Sequence, residues 1–253
     1  MAAELLRHNR LVIMPTETVY GLAGLALSED AVGRIFKAKG RPATNPLIVH
    51  VAEPSQVERV ALVKHPDFDL LAAHFWPGPL TMVLPKLENV PSITTGGLET
   101  VAVRVPSHPV ALALLREIGE PLAAPSANLF TGLSPTRPEH LSSEMMFAAS
   151  MILDGGPCDV GIESTVIDLT QTEVKILRPG IVSTQQLSEL LGKQVGNVVD
   201  SPVSPGHHRK HYSPQTPIQI VDKIGVQPGL TFQRPANEAQ VEMPADPAGY
   251  ARE

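Results

Sequence analysis

Cationic and polar side chains gather between residues 39 and 50, where two cations, an amide and an imidazole surround the start of a short apolar run. They are Lys39, Arg41, Asn45 and His50. Upstream, Ser28 followed by two acidic residues marks a helix start and Gly40 marks its end, so the cations cluster at the C-terminal end of that helix. This grouping predicts a site for an anionic ligand. In the simpler interpretation, Lys37 and Lys39 only complement the helix dipole and Arg41 is solvated.

Further polar residues follow other short apolar runs. Residues 11–14 have the pattern of a buried strand, and a loop is expected directly after it at residues 16–24. Ligands of open α/β sheets bind beyond the strand ends, so we expect these side chains to converge. The group found in this way is Thr16, Thr18, Arg104, Ser126, Asn128 and Arg178. Taken singly, each of these residues and His50 also has a structural explanation, such as helix capping or turn formation.

The composition limits the possible functions. The 253 residues are 43% hydrophobic and 18% charged, which is typical of a globular protein with a large core. A net charge of −6 and only 4% aromatic residues argue against a broad nucleic-acid-binding surface. The single cysteine, Cys158, excludes an internal disulfide and a cysteine-based zinc site, so we expect a reducing compartment, most simply the cytoplasm. No apolar run approaches the roughly 18 residues of a membrane span, and the first residues lack a signal peptide's apolar centre.

Strand and helix patterns alternate along the chain and predict an α/β fold, with a twisted mixed sheet flanked by helices. Antiparallel pairs are expected where strands follow one another closely, near residues 80–104 and 151–177.

Several helix ends can be assigned from capping signals. We expect Ser107 to cap a helix that runs from His108, and Ser55 to open a short helix through a capping box. A second capping box at Ser183 begins a helix that Gly192 ends.

The chain divides by composition into a first domain at residues 1–195, a linker or lid at 196–216, and a partial C-terminal domain at 217–253. The linker is punctuated by proline and has few apolar residues. Its cluster of cations and one tyrosine at residues 207–212 is unusual for a spacer. One hypothesis is a lid over a site in the first domain, and the other is a solvated tether. The residues that follow are too few and too polar to bury a core of their own.

Five motifs, taken together and in order, resemble the YrdC-like threonylcarbamoyl-AMP synthases. They are Pro15-Thr16-Glu17-Thr18-Val19-Tyr20-Gly21-Leu22, Lys39-Gly40-Arg41-Pro42 with Pro46-Leu47-Ile48-Val49-His50, Pro125-Ser126-Ala127-Asn128, Ser164-Thr165-Val166 and Arg178-Pro179-Gly180. The resemblance covers about residues 5 to 192. The linker, with Ser204-Pro205-Gly206 and His211-Tyr212-Ser213-Pro214, resembles the long form of the family, in which a second Rossmann-like domain follows. Here only the start of such a domain is expected.

The resemblance implies an enzyme that makes threonylcarbamoyl-AMP and pyrophosphate from L-threonine, bicarbonate and ATP, for the modification of tRNA beside the anticodon. The implied catalytic residues are Lys39, Arg41, Ser126 and Asn128. The implied ATP contacts are Arg41, Asn45, Thr100, Ser126, Ser134, Arg178 and, from the linker, Tyr212. The implied threonine contacts are Thr18, His50, Arg104, Ala124 and Ser164. Mg²⁺ is expected to arrive with ATP, without dedicated protein ligands. The product is expected to pass to a tRNA threonylcarbamoyl transferase complex.

Two other functions remain open from the sequence. A carbamoyl transferase domain would use a similar carbamoyl-AMP intermediate, although the long-form linker favours the threonine enzyme. An RNA-binding module would use a concave cationic sheet, but the net charge and the few aromatic residues argue against it, so strong direct tRNA binding is not expected.

Overall fold

The computed structural model describes residues 1–197, 229–231 and 240–242. In these ranges the α-helices are α1 (Ala2–Arg7), α2 (Glu29–Lys39), α3 (Phe68–Phe75), α4 (Pro109–Ile118), α5 (Ser143–Ala148) and α6 (Thr184–Leu191), and 3-10 helices span Pro54–Arg59 and Pro138–His140. The strands are β1 (Val12–Met14), β2 (Gly21–Leu25), β3 (Ile48–His50), β4 (Leu80–Pro85), β5 (Thr100–Arg104), β6 (Leu122–Ala123), β7 (Met151–Ile152), β8 (Thr165–Asp168), β9 (Lys175–Arg178), β10 (Gly196–Asn197), β11 (Gly229–Thr231) and β12 (Gln240–Glu242).

Ten strands form one mixed sheet in the order β10-β9-β8-β4-β5-β3-β6-β2-β1-β7. The pairs β1–β7, β3–β5, β4–β8 and β9–β10 are parallel, and the other neighbours are antiparallel. Strands β11 and β12 pair in parallel as a separate two-stranded sheet. The predicted fold class, a mixed sheet with flanking helices, is therefore confirmed.

Side chains of the first strands alternate between two cores, as the two-residue period of a strand requires. Val12 and Met14 pack with apolar residues of α1 and α4 on one face of the sheet. Ile13, between them, faces the opposite core, where the stripe of α2 contributes Val32 and Ile35. Helices thus cover both faces of this half of the sheet.

The other half of the sheet carries a third apolar cluster on the face opposite the main core, made of Ile48, Val83, Ala102, Val166 and Leu177. Two residues further along β3 and β5, the same face presents His50 and Arg104, which are paired in register. The face therefore changes from apolar to polar toward the ends of these two parallel strands. This change positions the candidate site.

Residues 153–164, here called the crossing segment, join β7 at one edge of the sheet to β8, seven strand positions away. Backbone hydrogen bonds hold the segment across the sheet end. The Val160 N–H donates to the Glu17 carbonyl at 2.8 Å, and the Gly161 N–H donates to the Thr18 carbonyl at 3.0 Å. Nearer β7, the Gly155 N–H donates to the Tyr20 hydroxyl at 3.1 Å.

Most helix ends agree with the capping signals. Ser28 caps α2 and Gly40 ends it with φ of 60°, in the left-handed region that glycine adopts easily. The capping box at Ser183 and the left-handed Gly192 bound α6 as predicted.

Two expected caps are wrong. Helix α4 begins at Pro109 and is capped by His108, whose Nδ1 accepts from the Val110 N–H at 3.2 Å. The Ser107 N–H is instead bonded to a carboxylate oxygen of Glu17. Near Ser55 the element is a 3-10 helix that Pro54 begins, without a side-chain cap.

The loop expected at residues 16–24 is also partly wrong, because β2 occupies its second half. The strand contains Gly21 and Gly24, which weaken any strand signal in the sequence. At Gly24 a Cβ would lie 3.0 Å from the Leu11 side chain, so the glycine allows β2 to approach its neighbours closely. Packing, rather than strand propensity, explains this strand.

The described ranges contain all of the expected first domain and little beyond it. The linker at 196–216, apart from residues 196 and 197, lies outside the described residues, as does most of 217–253. No helix in the described ranges is long and apolar enough to span a membrane.

Candidate active site

A cleft with an empty volume of about 550 Å³, including space open to solvent, lies at the polar end of β3 and β5. Of the predicted residues it brings together Thr16, Thr18, Arg41, His50, Arg104, Ala124, Ser126, Ser164 and Arg178. The cleft lining does not include Lys39, Asn45, Thr100, Asn128 and Ser134. Tyr212 lies outside the described residues.

Arg104 is buried at the end of β5 and is held by three groups. Its Nη2 forms an ion pair with Glu17 Oε1 at 2.6 Å. Its Nη1 donates to Thr18 Oγ1 at 2.9 Å, and its Nε donates to the Gly78 carbonyl at 3.1 Å. The guanidinium is therefore fixed before any ligand binds.

Glu17 is a site residue that the sequence analysis did not assign. It is buried, and its second oxygen accepts from the Ser107 N–H at 3.1 Å. In the sequence, only its position between Thr16 and Thr18 in the first motif points to a functional role. Its partner Arg104 is far away in the chain, so no local pattern reveals the pair. This counter-ion offsets part of the cost of burying the charge of Arg104.

His50 lies beside Arg104 in the sheet register and lines the cleft. Burial, and secondly the positive charge of Arg104, lower the pKa of His50 to about 3. The imidazole is therefore neutral at physiological pH, and it can both donate and accept a hydrogen bond.

Arg41 follows α2 and is folded back onto the chain after it. Its Nη2 donates to Asn45 Oδ1 at 2.6 Å and to the Pro46 carbonyl at 2.8 Å. Burial, and secondly the charge of Arg178, lower the pKa of Arg41 to about 10, so it stays cationic. Asn45 thus orients Arg41, and its own buried Nδ2 has no hydrogen-bond partner in the part of the chain that the structure describes.

Arg178 enters the cleft from the end of β9. Its Nη2 donates to the Ser164 carbonyl at 2.8 Å and to Ser164 Oγ at 3.1 Å. The same hydroxyl bonds to Thr81 Oγ1 at 2.7 Å. Burial lowers the pKa of Arg178 to about 10. Two cationic guanidiniums, Arg41 and Arg178, therefore line the cleft with Arg104.

Lys39, the last residue of α2, does not line the cleft. Its buried Nζ donates to the carbonyls of Ser126 and Asn128, at 2.5 and 2.6 Å. Burial, and secondly the charge of Arg41, lower the pKa of Lys39 to about 7. In this arrangement the lysine holds the loop after β6 and is not directed at a ligand.

Three other predicted residues lie around the cleft. Asn128 donates through Nδ2 to the carbonyls of Leu129 and Gly132, both at 2.8 Å, and so shapes the same loop. Ser134 donates to Glu163 Oε1 at 2.5 Å. Thr100 begins β5, on the face that Arg104 occupies at its end. Glu163 lines the cleft and was not assigned from the sequence.

Comparison with known proteins decides the family. A family model described as Telomere recombination, Sua5_yciO_yrdC, matches residues 4–180. The chain belongs to this family. The Sua5/YciO/YrdC family includes the one predicted from the five motifs, so that prediction is confirmed.

Curated relatives and solved structures agree with this family. A protein of Pyrococcus abyssi named threonylcarbamoyl-AMP synthase is 46% identical over 88% of this chain and 67% of its own length. One of Bacillus subtilis with the same name is 45% identical over 87% of this chain and 66% of its own length. The chain thus spans about two thirds of the length of these relatives. A crystal structure of P. abyssi Sua5 complexed with L-threonine, 39% identical, superposes with a TM-score of 0.91 over 99% of this chain and 81% of its own.

Proposed function

We propose that this protein is a threonylcarbamoyl-AMP synthase, which forms threonylcarbamoyl-AMP and pyrophosphate from L-threonine, bicarbonate and ATP. The observation that carries the proposal is one cleft with two kinds of anion site. Arg104 is fixed by Glu17 and Thr18, while Arg41 and Arg178 enter from other elements. The names of the curated relatives support the same reaction.

The amino acid would bind near Arg104, whose guanidinium suits a carboxylate. The neutral imidazole of His50 and the hydroxyl of Ser164 offer hydrogen bonds to the threonine hydroxyl or amine. Ala124 would leave space for the small side chain. The crystal structure of P. abyssi Sua5 complexed with L-threonine supports L-threonine as the amino acid that binds, because that structure superposes closely on this chain.

ATP would place its phosphates against Arg41 and Arg178. Nucleotidyl transfer depends mainly on positioning and on charge neutralisation, so the chain needs no covalent nucleophile. Asn45 acts by orienting Arg41. Ser126 lines the cleft, and Thr100 extends the same sheet face. Lys39 and Asn128 are positioning residues in this proposal, because both are engaged with the loop after β6.

The reaction proceeds in two balanced steps. The threonine amine attacks bicarbonate and gives a carbamate with loss of water. A carbamate oxygen then attacks the α-phosphorus of ATP, a new P–O bond forms, and the bond to the β-phosphate oxygen breaks to release pyrophosphate. Arg41 and Arg178 neutralise the charge that develops on the transferred and leaving groups.

Mg²⁺ would neutralise phosphate charge when it is bound together with ATP. In the described ranges, no group of three or more histidine, cysteine or acidic residues could hold a metal ion.

The deciding experiment measures pyrophosphate release from ATP and its joint dependence on L-threonine and bicarbonate. We expect no release when either is omitted, and mass spectrometry of the product should give threonylcarbamoyl-AMP. Release that is independent of threonine would overturn the proposal and favour the carbamoyl transferase alternative. Submicromolar tRNA binding without ATP at physiological salt, measured by filter binding, would instead favour the RNA-binding alternative.

The product's biological role is also a proposal. A mixed anhydride with AMP is reactive, so a tRNA threonylcarbamoyl transferase complex in the same compartment, which we take to be the cytoplasm, would consume it. The linker hypotheses, including the lid, concern residues outside those described and stay predictions.

A further inference from the structure

Glu163 is an acidic residue in a cleft that otherwise offers cations to its ligand. Its Oε1 accepts from Ser134 Oγ at 2.5 Å. Its Oε2 is buried and has no hydrogen-bond partner among the described residues. A buried carboxylate oxygen without a partner is costly, so a group that completes its bonding is expected in the working site.

The surroundings of Glu163 are cationic. Arg41 and Arg178 line the same cleft. The negative charge of Glu163 opposes the fall that burial causes in the pKa of Arg178 and of Lys39. Phosphates attracted by these arginines would meet a negative charge beside them. Such a carboxylate favours ATP binding only if a cation lies between them.

The backbone around Glu163 is held on two sides. Arg178 donates to the carbonyl of the next residue, Ser164. Gly180 packs so closely that a Cβ there would lie 2.7 Å from the Glu163 carbonyl and 2.5 Å from the Thr165 nitrogen. Ser134 fixes the carboxylate itself. The free oxygen is therefore presented by a preorganised residue rather than by a loose surface side chain.

We propose that Glu163 supplies the protein's ligand to the Mg²⁺ that accompanies ATP, through Oε2, either directly or through one coordinated water. This inference rests on the proposed function, and it adds a protein ligand where the sequence predicted none. Mg²⁺ is usually bound by one or two carboxylates together with substrate phosphates, and it keeps several waters. A single carboxylate in a phosphate site fits that pattern.

The test measures how strongly Mg²⁺ and nucleotide promote each other's binding. Calorimetry would titrate α,β-methylene-ATP into the full chain with Mg²⁺ and, separately, with EDTA.

The Glu163→Gln variant keeps an acceptor oxygen for Ser134 and removes the charge. We expect the gain in affinity from Mg²⁺ to fall by about tenfold or more in this variant. The affinity of this variant for α,β-methylene-ATP in EDTA should equal or exceed that of wild type. The matched control is Glu173→Gln, at an exposed acidic residue away from the cleft, which should behave as wild type.

Electron paramagnetic resonance gives a second readout that does not depend on activity. Mn²⁺ with α,β-methylene-ATP should give a different spectrum on wild type and on Glu163→Gln, because the variant changes the group that coordinates the ion or that holds one of its coordinated waters. If Glu163→Gln does not fold, Glu163→Asp keeps the charge and moves the oxygens, and it should also change the Mn²⁺ spectrum.

Three outcomes would overturn the inference. An unchanged Mg²⁺ effect and spectrum would make Glu163 a structural counter-ion of Arg178. Equal losses with and without metal would indicate that it only holds the loop of Ser134. If wild type shows the same loss of affinity when 3′-deoxy-ATP is the nucleotide, that loss would indicate that Glu163 contacts the ribose. The proposed function is tested separately: if the wild type makes pyrophosphate with threonine and bicarbonate, any of these results defeats the metal ligand alone.

Discussion

The three arginines of the cleft are bonded to the protein before a ligand arrives. Arg104 has an anionic partner, Glu17, whereas Nη2 of Arg41 donates to neutral acceptors, Asn45 Oδ1 and the Pro46 carbonyl. Removing one member of a buried ion pair leaves the other charge uncompensated. The arginines should therefore respond differently to substitution of their neighbours.

Glu17→Gln should weaken threonine binding by about tenfold or more, because Arg104 loses the charge that orients it and small displacements in a site are costly. ATP affinity should change by less than about twofold, since Arg41 and Arg178 have other partners. Calorimetric titration of each ligand checks this. Glu99→Gln, at a glutamate whose side chain is 91% exposed, is the control. Equal losses for both ligands would mean that Glu17 supports the whole cleft.

Arg41→Ala and Arg178→Ala should each weaken ATP binding about tenfold or more, because a charge-assisted hydrogen bond contributes about 1.5–3 kcal/mol. The fold should survive, as judged by circular dichroism. Arg116→Ala on the exposed side of α4 serves as the control. Unchanged ATP affinity in both cleft variants would exclude these arginines from the nucleotide site.

His50 should make the protein less stable as the pH falls below the ordinary histidine range. The unfolded histidine takes up a proton near pH 6.5, while the folded one does so only at about 3. Since the unfolded state then binds more protons, the free energy of unfolding decreases as the pH falls from 6.5 to 3. The difference in unfolding free energy between wild type and His50→Asn should shrink across that window in urea titrations. A difference that does not vary with pH would show that the imidazole is readily protonated in the fold.

Residues in recognisable motifs could be predicted from the sequence, but their partners could not. Nine of the predicted residues line the cleft. Glu17 and Glu163 were missed because each acts on a cation or hydroxyl far away in the chain, and no spacing rule reports such a pair. Lys39 was predicted as catalytic from its motif, whereas its contacts give it a positioning role.

At the scale of elements, α2 connects the main apolar core of the sheet to the cleft. Its inner stripe packs on the sheet, and its last residue, Lys39, holds the loop that follows β6. Arg41 comes two residues later. The helix therefore positions both sides of the nucleotide site that we propose.

Lys39→Met should loosen the loop after β6 and change the pH dependence of stability. Burial lowers the pKa of Lys39 from its ordinary 10.5 to about 7. Between these values the unfolded chain keeps a proton that the folded chain releases, so raising the pH stabilises the wild type. Urea titrations from pH 7 to 10.5 should show this rise relative to the variant. The control is Lys37→Met, on the exposed face of the same helix. Parallel curves for wild type and Lys39→Met would contradict the lowered pKa.

Elements with strong end signals were predicted well, and short ones were not. Helices α2 and α6 have a cap at one end and a left-handed glycine at the other. Strands β6, β7 and β10 have two residues each, too few to show any periodicity. Their place is set by hydrogen bonds to neighbouring strands, which local sequence does not encode.

At the scale of the whole molecule, close spacing along the chain correctly indicated a mixed sheet. The strand order could not be read, because neighbours such as β3 and β6 are separated by two other strands in the chain. Tertiary packing of both faces fixes that order. The residues that meet in the cleft are accordingly drawn from β3, β5, β9 and the loops around them.

The crossing segment has little slack. Seven strand spacings amount to about 34 Å on a flat sheet, and the steps from residue 152 to residue 165 span about 43 Å at the extended rise of about 3.3 Å each. Deleting residues 157–159 would shorten that reach to about 33 Å. We expect such a chain to lose the pairing of β7 or of β8, with a clear fall in melting temperature. Inserting three glycines at the same place should cost less than about 1 kcal/mol, because closure entropy grows slowly with loop length.

Because shortening the crossing segment should cost far more than lengthening it, the length of this segment limits the distance between β7 and β8. Because the segment also bonds to the carbonyls of Glu17 and Thr18, a change in the curvature of the sheet would move the backbone beside Arg104. The limited length of one stretch of chain, together with its hydrogen bonds, thus links the width of the sheet to the shape of its ligand pocket.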